Sequence, residues 1–411
     1  MSKYTTKKKN KELKKQERKQ IITMKVKIVA PSNVVAILKE TTQYYTESFN
    51  RICDFAYNNK AITDKNILHK LIYYPEREIS PLMSQLVCSS IAKAMEAIDS
   101  TRTAQQNHIN KINYLNEKNK DKKGYKQQTP KVFATPHSEQ SAIRYDARSC
   151  VINLLTQTAK LTTHSKLGQA KVDLIIPSIY NKYLGWKLGS SDLCFAKDGT
   201  PYLHITITPS EQYKTQREQN IKNNTSPKVV GVDLGINVPV VTSTGTFIER
   251  DNFKEIIRRH TSLRSRLQSK GTPSANRHLR RVSERERRFR KDCDHVNSKK
   301  LVSLMNPGDT VVLEDLTNIR DKKTQDKDLN RDKNTWSFNQ LQTFIVYKCF
   351  MKGVKAVYVD PSYTSQTCNK CGYIDKNNRR TQSEFACLAC GHTSNADVNA
   401  AQNIRDRYVQ N

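Results

Sequence analysis

The stretch Cys368–Gly391, CNKCGYIDKNNRRTQSEFACLACG, constrains this chain more than any other. Cys368 and Cys371 enclose two residues, Cys387 and Cys390 enclose two more, and 15 residues separate the pairs. Each C-x-x-C turn points two sulfurs into one half of a tetrahedron, so the spacing is that of a structural zinc ribbon with four thiolate ligands. Gly372 and Gly391 directly follow the knuckles, where the chain needs a positive φ to fold back under a metal. Two coincidental thiol pairs or a disulfide framework are the alternatives. His392 stays outside the ligand set, because four thiolates fill the tetrahedron. Such a ribbon identifies a scaffold rather than a reaction.

Charge supplies the partner. With 70 Lys and Arg against 39 Asp and Glu, the formal net charge is +31. Such an excess repels itself unless a polyanion is present, so nucleic acid is the default partner. An anionic membrane surface is the alternative, but no long apolar segment or amphipathic anchor supports it. The N-terminus shows no apolar signal region. Outside the ribbon, Cys53, Cys88, Cys150, Cys194, Cys293 and Cys349 are scattered singly, the pattern of a reducing, cytoplasmic compartment.

At 411 residues there is room for two or three domains. Residues 1–23 are a lysine-rich tail, expected to be disordered. A strand is expected over 24–31, from Met24 to Pro31. A helical region follows over 32–130. In its first helix Val35, Leu38, Thr42, Tyr45, Phe49, Ile52 and Ala56 recur at steps of three and four, one apolar seam for another helix. Its aromatic residues are read first as core, with base stacking as the alternative. A second long helix is expected from Ser80 to Leu115, and 116–130 is a polar basic loop. From 131 to 210, short β-rich runs separated by Gly, Asp or Ser turns predict an antiparallel barrel-like or sandwich domain, which the 24–31 strand could complete. Residues 211–228, poor in apolar side chains, read as a linker with some helix. The segment Phe253–Met305 is helical and dense in arginine, including Arg258, Arg259, Arg264, Arg266, Arg280 and Arg281, with Gly271–Pro273 as a break between two arms.

The order of the acids points to chemistry. A strand ends in Asp233 and opens a β-meander. After the long helical segment a second strand ends in Glu314, and a closing helix carries Asp397 in its first turn. That layout is how an RNase H-like fold brings carboxylates to one edge of a central sheet. Three such acids can hold two divalent ions about 3.5–4 Å apart, one activating water and one stabilising the leaving oxygen. Magnesium prefers these oxygen ligands, and manganese is the alternative. Strand alternation separates Glu314 from Asp315 without choosing which faces the site. Asp360 is a rival third ligand, read instead as a turn acid before Pro361.

The motifs resemble the TnpB family, insertion-sequence-encoded nucleases related to compact type V CRISPR effectors. GVDLGIN, VVLEDL and NADVNAAQNI are similar to the family's three RuvC motifs, and YVDPSYTSQTCNKCG with FACLACG to its zinc-ribbon insertion. The resemblance covers roughly 24–408, loosely at its N-terminal end. It implies a C-terminal RNase H-like (RuvC) nuclease domain over 229–411 with a four-cysteine zinc ribbon inserted at about 363–394. Ahead of it come an N-terminal helical recognition lobe and a β-barrel (wedge) lobe. The implied activity is cleavage of double-stranded DNA that matches a transposon-end-derived guide RNA, beside a short adjacent motif. Asp233, Glu314 and Asp397 take the catalytic, magnesium-binding roles. Cys368, Cys371, Cys387 and Cys390 bind zinc, and the arginines feed single-stranded DNA to the acids. It further implies a prokaryotic, nucleoid-associated protein in the cytoplasm, and leaves residues 1–23, ahead of the usual start at Met24, as either an extension or the product of a misplaced start codon. A CRISPR effector, an RNA-guided repressor and a DNA transposase are the competing readings. The retained acids argue against the repressor, and the ribbon placed before Asp397 argues against the transposase.

Overall fold

The structure, a computed structural model, describes residues 6–13, 21–59, 61–122, 124–164, 168–317 and 336–410. Its first element corrects the expectation of a disordered tail. Residues 6–13 form a helix, α1, with Thr6 and Leu13 buried. No hydrophobic period announces it because polar bonds hold it. Thr6 Oγ1 donates to Asp315 at 3.2 Å and Lys9 Nζ sits 3.0 Å from the same carboxylate. The Asn10 side chain pairs both ways with the backbone of Tyr358, each bond 2.8 Å.

The chain divides into two compact units, Ile21–Ser210 and the residues from Glu211 onward, which α1 joins. The first unit opens with β1 (Ile22–Val29), in which Met24, Val26 and Ile28 point inward and the lysines between them outward. Three helices follow, α2 (Ser32–Tyr57), α3 (Lys65–Ile79) and α4 (Ser84–Asn119). The apolar seam of α2 packs on α4, and Tyr45 and Ser48 bond Ser89 and Ser90 across the contact at 2.9 Å each. Helix α4 begins four residues later than the sequence suggests, because Ser80 instead ends α3 and Leu82 forms a β-bridge with His164. Pro75 lies inside α3, which hid that helix from a reading of the sequence.

Six further strands complete an antiparallel sheet with β1: β2 (Ile143–Tyr145), β3 (Cys150–Asn153), β4 (Thr158–Thr162), β5 (Gln169–Ile175), β6 (Lys187–Phe195) and β7 (Pro201–Thr208). The order is β2-β6-β7-β1-β5-β4-β3, so the N-terminal strand sits at the centre. Tyr145, on one edge strand, donates to Thr162 O near the opposite edge at 3.0 Å, which shows that the sheet curls on itself.

In the second unit, the stretch expected to be a linker is mostly helix α5 (Glu211–Lys222), tied to the backbone of Met351 by Tyr213 and of Phe350 by Arg217. The sheet that follows comprises β8 (Val229–Asp233), β9 (Val240–Thr242), β10 (Phe247–Ile248), β11 (Thr310–Glu314) and β12 (Lys355–Val359), in the order β10-β9-β8-β11-β12. Strands β8, β11 and β12 are parallel and covered on both faces, hence their nearly unbroken apolar runs. On one face the hairpin arm α7 (Pro273–Ser303) and helix α8 (Phe338–Lys352) bury Leu301, Ile345 and Cys349 against Val230, Val232, Val311 and Leu313. On the other, helix α9 (Ala396–Val409) meets Val312 and Val359 through Ile404. Gly231 is where α9 crosses the sheet, since a Cβ there would lie 2.0 Å from Ala401 O. The first arm of the arginine-rich hairpin is α6 (Phe253–Lys270), which ends at Gly271 in the left-handed conformation.

Candidate active site

Register brings two of the acids together. Val232 of β8 lies opposite Leu313 of β11, so the next residues of these adjacent parallel strands are Asp233 and Glu314. Both sit on the face that α9 covers, because Val232 and Leu313 point into the opposite core. Asp315 points away, to Lys9, Thr6 and Thr317. The third acid arrives from above. A hairpin of β13 (Glu384–Ala386) and β14 (Thr393–Asn395) runs straight into α9, and Asn395 caps that helix by accepting from the backbone of Asp397 at 3.0 Å and Val398 at 3.2 Å. The cap fixes Asp397 in the first turn.

The charges of the other two acids reach Asp233. Burial pushes the Asp233 carboxyl well above the ordinary carboxylate range, and the charges of Glu314 and Asp397 push it further. Arg379 opposes them and donates to Asp397 Oδ1 at 2.9 Å. Burial likewise drives Glu314 up to about 7, against the pull of the Thr364 hydroxyl, which donates to it, and of Arg407. Positive charge beside Asp233 and Glu314 would favour their ionised forms. The arrangement suits cations, and one guanidinium already stands at its edge.

A polar lattice ties the acids to the ribbon. Thr364, bonded to Glu314, gives its carbonyl to Asn403 at 2.8 Å, and Asn403 also reaches Thr367 O at 2.7 Å. Asn399, one turn back on α9, donates to Thr367 O and accepts from Asn369 N. Thr364, Arg379, Asn399, Asn403 and Arg407 did not stand out in the sequence as site residues. The spacing Asn395, Asn399, Asn403, one per turn of α9, was the available signal. Asp360 accepts from Ser362 N at 2.8 Å and Ser362 Oγ at 2.5 Å, the bonds of a turn acid, while its charge adds to the upward push on Glu314.

The four cysteines converge: all four Sγ atoms lie within 4.8 Å of one another, the one group of potential metal ligands so gathered among the described residues. Cys368 and Cys390 are 3.8 Å apart and Cys371 and Cys387 are 3.6 Å apart, so neither pair is a disulfide. The two knuckles repeat one geometry. Gly372 N donates to Cys368 O and Gly391 N to Cys387 O, with both glycines at positive φ (76° and 69°). The carboxylates are spread more openly than the thiols.

Of the hairpin arginines, Arg258, Arg266, Arg280 and Arg281 are exposed. Arg259 pairs with Glu255 on its own helix. Arg264 is turned inward, 3.1 Å from the buried Glu286, which also holds Arg290 at 2.9 Å.

A family model described as Cas12f1-like, TNB domain, matches residues 338–404, the span from α8 through the ribbon into α9. The CRISPR-associated endodeoxyribonuclease Cas12f1 of Sulfoacidibacillus thermotolerans is 35% identical over 195 residues, 43% of this chain and 45% of that protein. A TnpB-like protein of Methanocaldococcus jannaschii is 36% identical over 129 residues, 31% of this chain and 45% of that protein. The chain thus spans a little under half the length of these relatives. In fold, it superposes on a Cas12f1 chain from a cryo-EM structure of a Cas12f1–sgRNA–target DNA complex with a TM-score of 0.58. That likeness covers 92% of this chain and 83% of the other at 15% identity. No described helix is long and apolar enough to cross a membrane. The resemblance to TnpB read in the motifs is therefore met: in part of its sequence the chain is similar to TnpB-like and Cas12f1 proteins, and in fold, over most of its length, to Cas12f1.

Proposed function

We propose that this chain is an RNA-guided DNA endonuclease of the TnpB type, which binds a transposon-end-derived guide RNA and cleaves matching double-stranded DNA beside a short adjacent motif. The observation that carries the reading is the convergence of Asp233, Glu314 and Asp397 at the ends of two parallel strands and the first turn of the helix that crosses them. The unit from Glu211 onward is the RNase H-like (RuvC) nuclease domain. The curled sheet is the wedge lobe and α2–α4 the recognition lobe, sharing the task of holding RNA.

A pair of magnesium ions, or manganese, supplies water activation and stabilisation of the leaving oxygen when bound. Asp233, Glu314 and Asp397 are the residues that would hold them, and an all-oxygen donor set with the Asp233 and Glu314 carboxyls raised by burial fits. Thr364 fixes the orientation of the Glu314 carboxylate. Arg379 would exchange its bond with Asp397 for one with a phosphate oxygen. The four thiolates fit zinc: a tetrahedron with about 2.3 Å Zn–S bonds has edges of about 3.8 Å, and the two sulfur pairs stand 3.8 and 3.6 Å apart. Locking the ribbon in this way holds the cap of α9, and so the position of Asp397. Guide pairing supplies sequence specificity, so the protein mainly grips backbones, a task for a +31 chain with exposed hairpin arginines.

The Cas12f1 relatives favour one second reading, a compact CRISPR effector with the same chemistry and a different RNA source. Sequencing the RNA that co-purifies when the protein is expressed with its native flanking DNA tests the proposal. One dominant structured RNA, ending in sequence from just beyond an element, is expected. A repeat-derived RNA would establish the CRISPR reading, and heterogeneous RNA would overturn both.

A further inference from the structure

Beside the turn that follows Asp233, between α6, α7 and the start of α8, lies a cavity of about 380 Å³. Its walls include Lys254 and Arg258 from α6, Asp294 and Asn297 from α7, and Trp336. Asn297 is 1% exposed, and neither its Nδ2 nor its Oδ1 has a hydrogen-bond partner. Leaving a buried amide unsatisfied incurs its desolvation penalty with nothing in return, so native chains rarely keep one without a ligand or water to meet it. Asp294, one helical turn earlier and 6% exposed, accepts from Ser337 at 2.8 Å through Oδ2. A second cavity of about 360 Å³ adjoins the first, sharing Arg290, Trp336 and Ser337.

The chemistry of these walls selects among ligands. A metal ion is disfavoured, because one carboxyl faces Lys254, Arg258 and Arg290. A hydrocarbon would leave the Asn297 amide unmet. A bare anion would meet Asp294 at the inner end. What fits is a group with donors and acceptors at one end, a flat face for the indole and negative charge at the other end. Asparagine reads a base edge through paired donor and acceptor bonds, aromatic side chains stack on bases, and arginine takes the phosphate. The volume falls within the range of small-ligand pockets.

We propose that this cavity receives one nucleotide turned out of the bound nucleic acid, its base against Asn297 and Asp294 and its phosphate against Lys254 and Arg258. The proposal rests on the reading of the chain as a nucleic-acid-binding protein. Because the cavity adjoins the turn after Asp233, an inserted nucleotide would set the register of the strand next to the acids.

The test uses the full chain, its co-purified RNA and a matching DNA duplex. Affinities are measured for RNA with the free protein and for DNA with the RNA-loaded complex, in wild type, Asn297→Leu and Arg258→Glu. Base reactivity toward dimethyl sulfate is mapped alongside. A weakening of about tenfold to a hundredfold in one arm is expected for Asn297→Leu, with a single base changing reactivity while its neighbours keep theirs. Loss in the RNA arm assigns the nucleotide to the guide, and loss in the DNA arm to the target. Leucine fills the site without an orphaned amide, so free Asn297→Leu should melt no lower than wild type. Arg258→Glu, at an exposed position, repeats the binding test should leucine disturb folding. Unchanged affinities and reactivities in both variants would mean that the cavity holds water only, and would overturn the proposal while leaving the nuclease reading intact. A wild-type protein that binds neither RNA nor DNA would overturn both.

Discussion

Gly231→Ala puts the geometry of the acid site under direct strain. A methyl group at this position would lie 2.0 Å from Ala401 O, 2.6 Å from Arg405 N and 2.9 Å from Arg405 Cβ, all on α9 and two of them backbone. A carbon and a carbonyl oxygen come no closer than about 3.3 Å even in a favourable C–H···O contact, so α9 would have to withdraw by about 1.3 Å. Overpacking of this kind costs about 1–3 kcal/mol, and more when backbone rather than a side chain must give. For a unit of this size that is a fall in melting temperature of about 2–12 °C. The functional loss should be larger in proportion, because Asp397 rides on the first turn of α9 while Asp233 and Glu314 stay on the sheet. A misplacement of about 1 Å costs about a hundredfold in rate. The assay is single-turnover cleavage of matching plasmid by the purified protein–RNA complex, with a gel shift to show that RNA remains bound. Gly185→Ala is the control, since its methyl would meet nothing within 4 Å. Cleavage by Gly231→Ala at the wild-type rate, with an unchanged melting temperature, would refute the argument that backbone contact at this glycine sets the position of Asp397.

Asp233→Ala, Glu314→Ala and Asp397→Ala should each lower cleavage by at least about a hundredfold, as loss of one charge-stabilising group does elsewhere, with RNA binding near normal in a gel shift. Full cleavage by any one of them would remove that residue from the site. Cys387→Ser should reduce bound zinc in elemental analysis and lower cleavage with it, because a structural metal contributes folding energy to its ribbon; unchanged zinc content would refute the ligand assignment. Asp294 gives a pH signature. Burial pushes its carboxyl up to about 6, against Ser337 and Arg290. The native state therefore holds that proton more tightly than the unfolded chain, so the carboxyl costs stability as pH rises from about 4 to 6, and the cost is complete above that range. Asp294→Asn, read in the RNA-free protein, should then be more stable than wild type at pH 7.5 by up to about 3 kcal/mol, an advantage that shrinks toward zero near pH 4. A pH-independent difference between the two melting curves would contradict this.

What could be read from the chain alone follows from how each contact is encoded. The cysteine spacing carries its own geometry, and the glycines after each knuckle do take positive φ. The α2 seam and the in-out alternation of β1 are periodic, so their buried faces were visible. The order of Asp233, Glu314 and Asp397 suggested one sheet edge, and the structure brings them to neighbouring positions. Helix α1 was missed and α5 read only as a linker with some helix, because side-chain bonds to distant backbone hold them, and such bonds leave no period. Arg379 looked like one more basic residue of a basic chain; only the fold sets it against Asp397. Arg264 reads in sequence like its exposed neighbours, and only the packing of α6 on α7 turns it to Glu286.

The split of the second unit across the chain has a consequence for the order of events during synthesis. Asn10 is made first and waits 348 residues for Tyr358, the backbone it closes at the sheet edge. The unit of Ile21–Ser210 lies wholly between them in sequence and can form while the rest is still being translated. The acids then emerge in the order Asp233, Glu314, Asp397, with the cysteines of the ribbon ahead of the last one. A nascent chain can therefore build its first unit, and even pair β8 with β11, before it has any complete set of carboxylates. The proposed ability to cut would arrive only when α9 folds down across Gly231, after the first unit and the β8–β11 pairing are already in place.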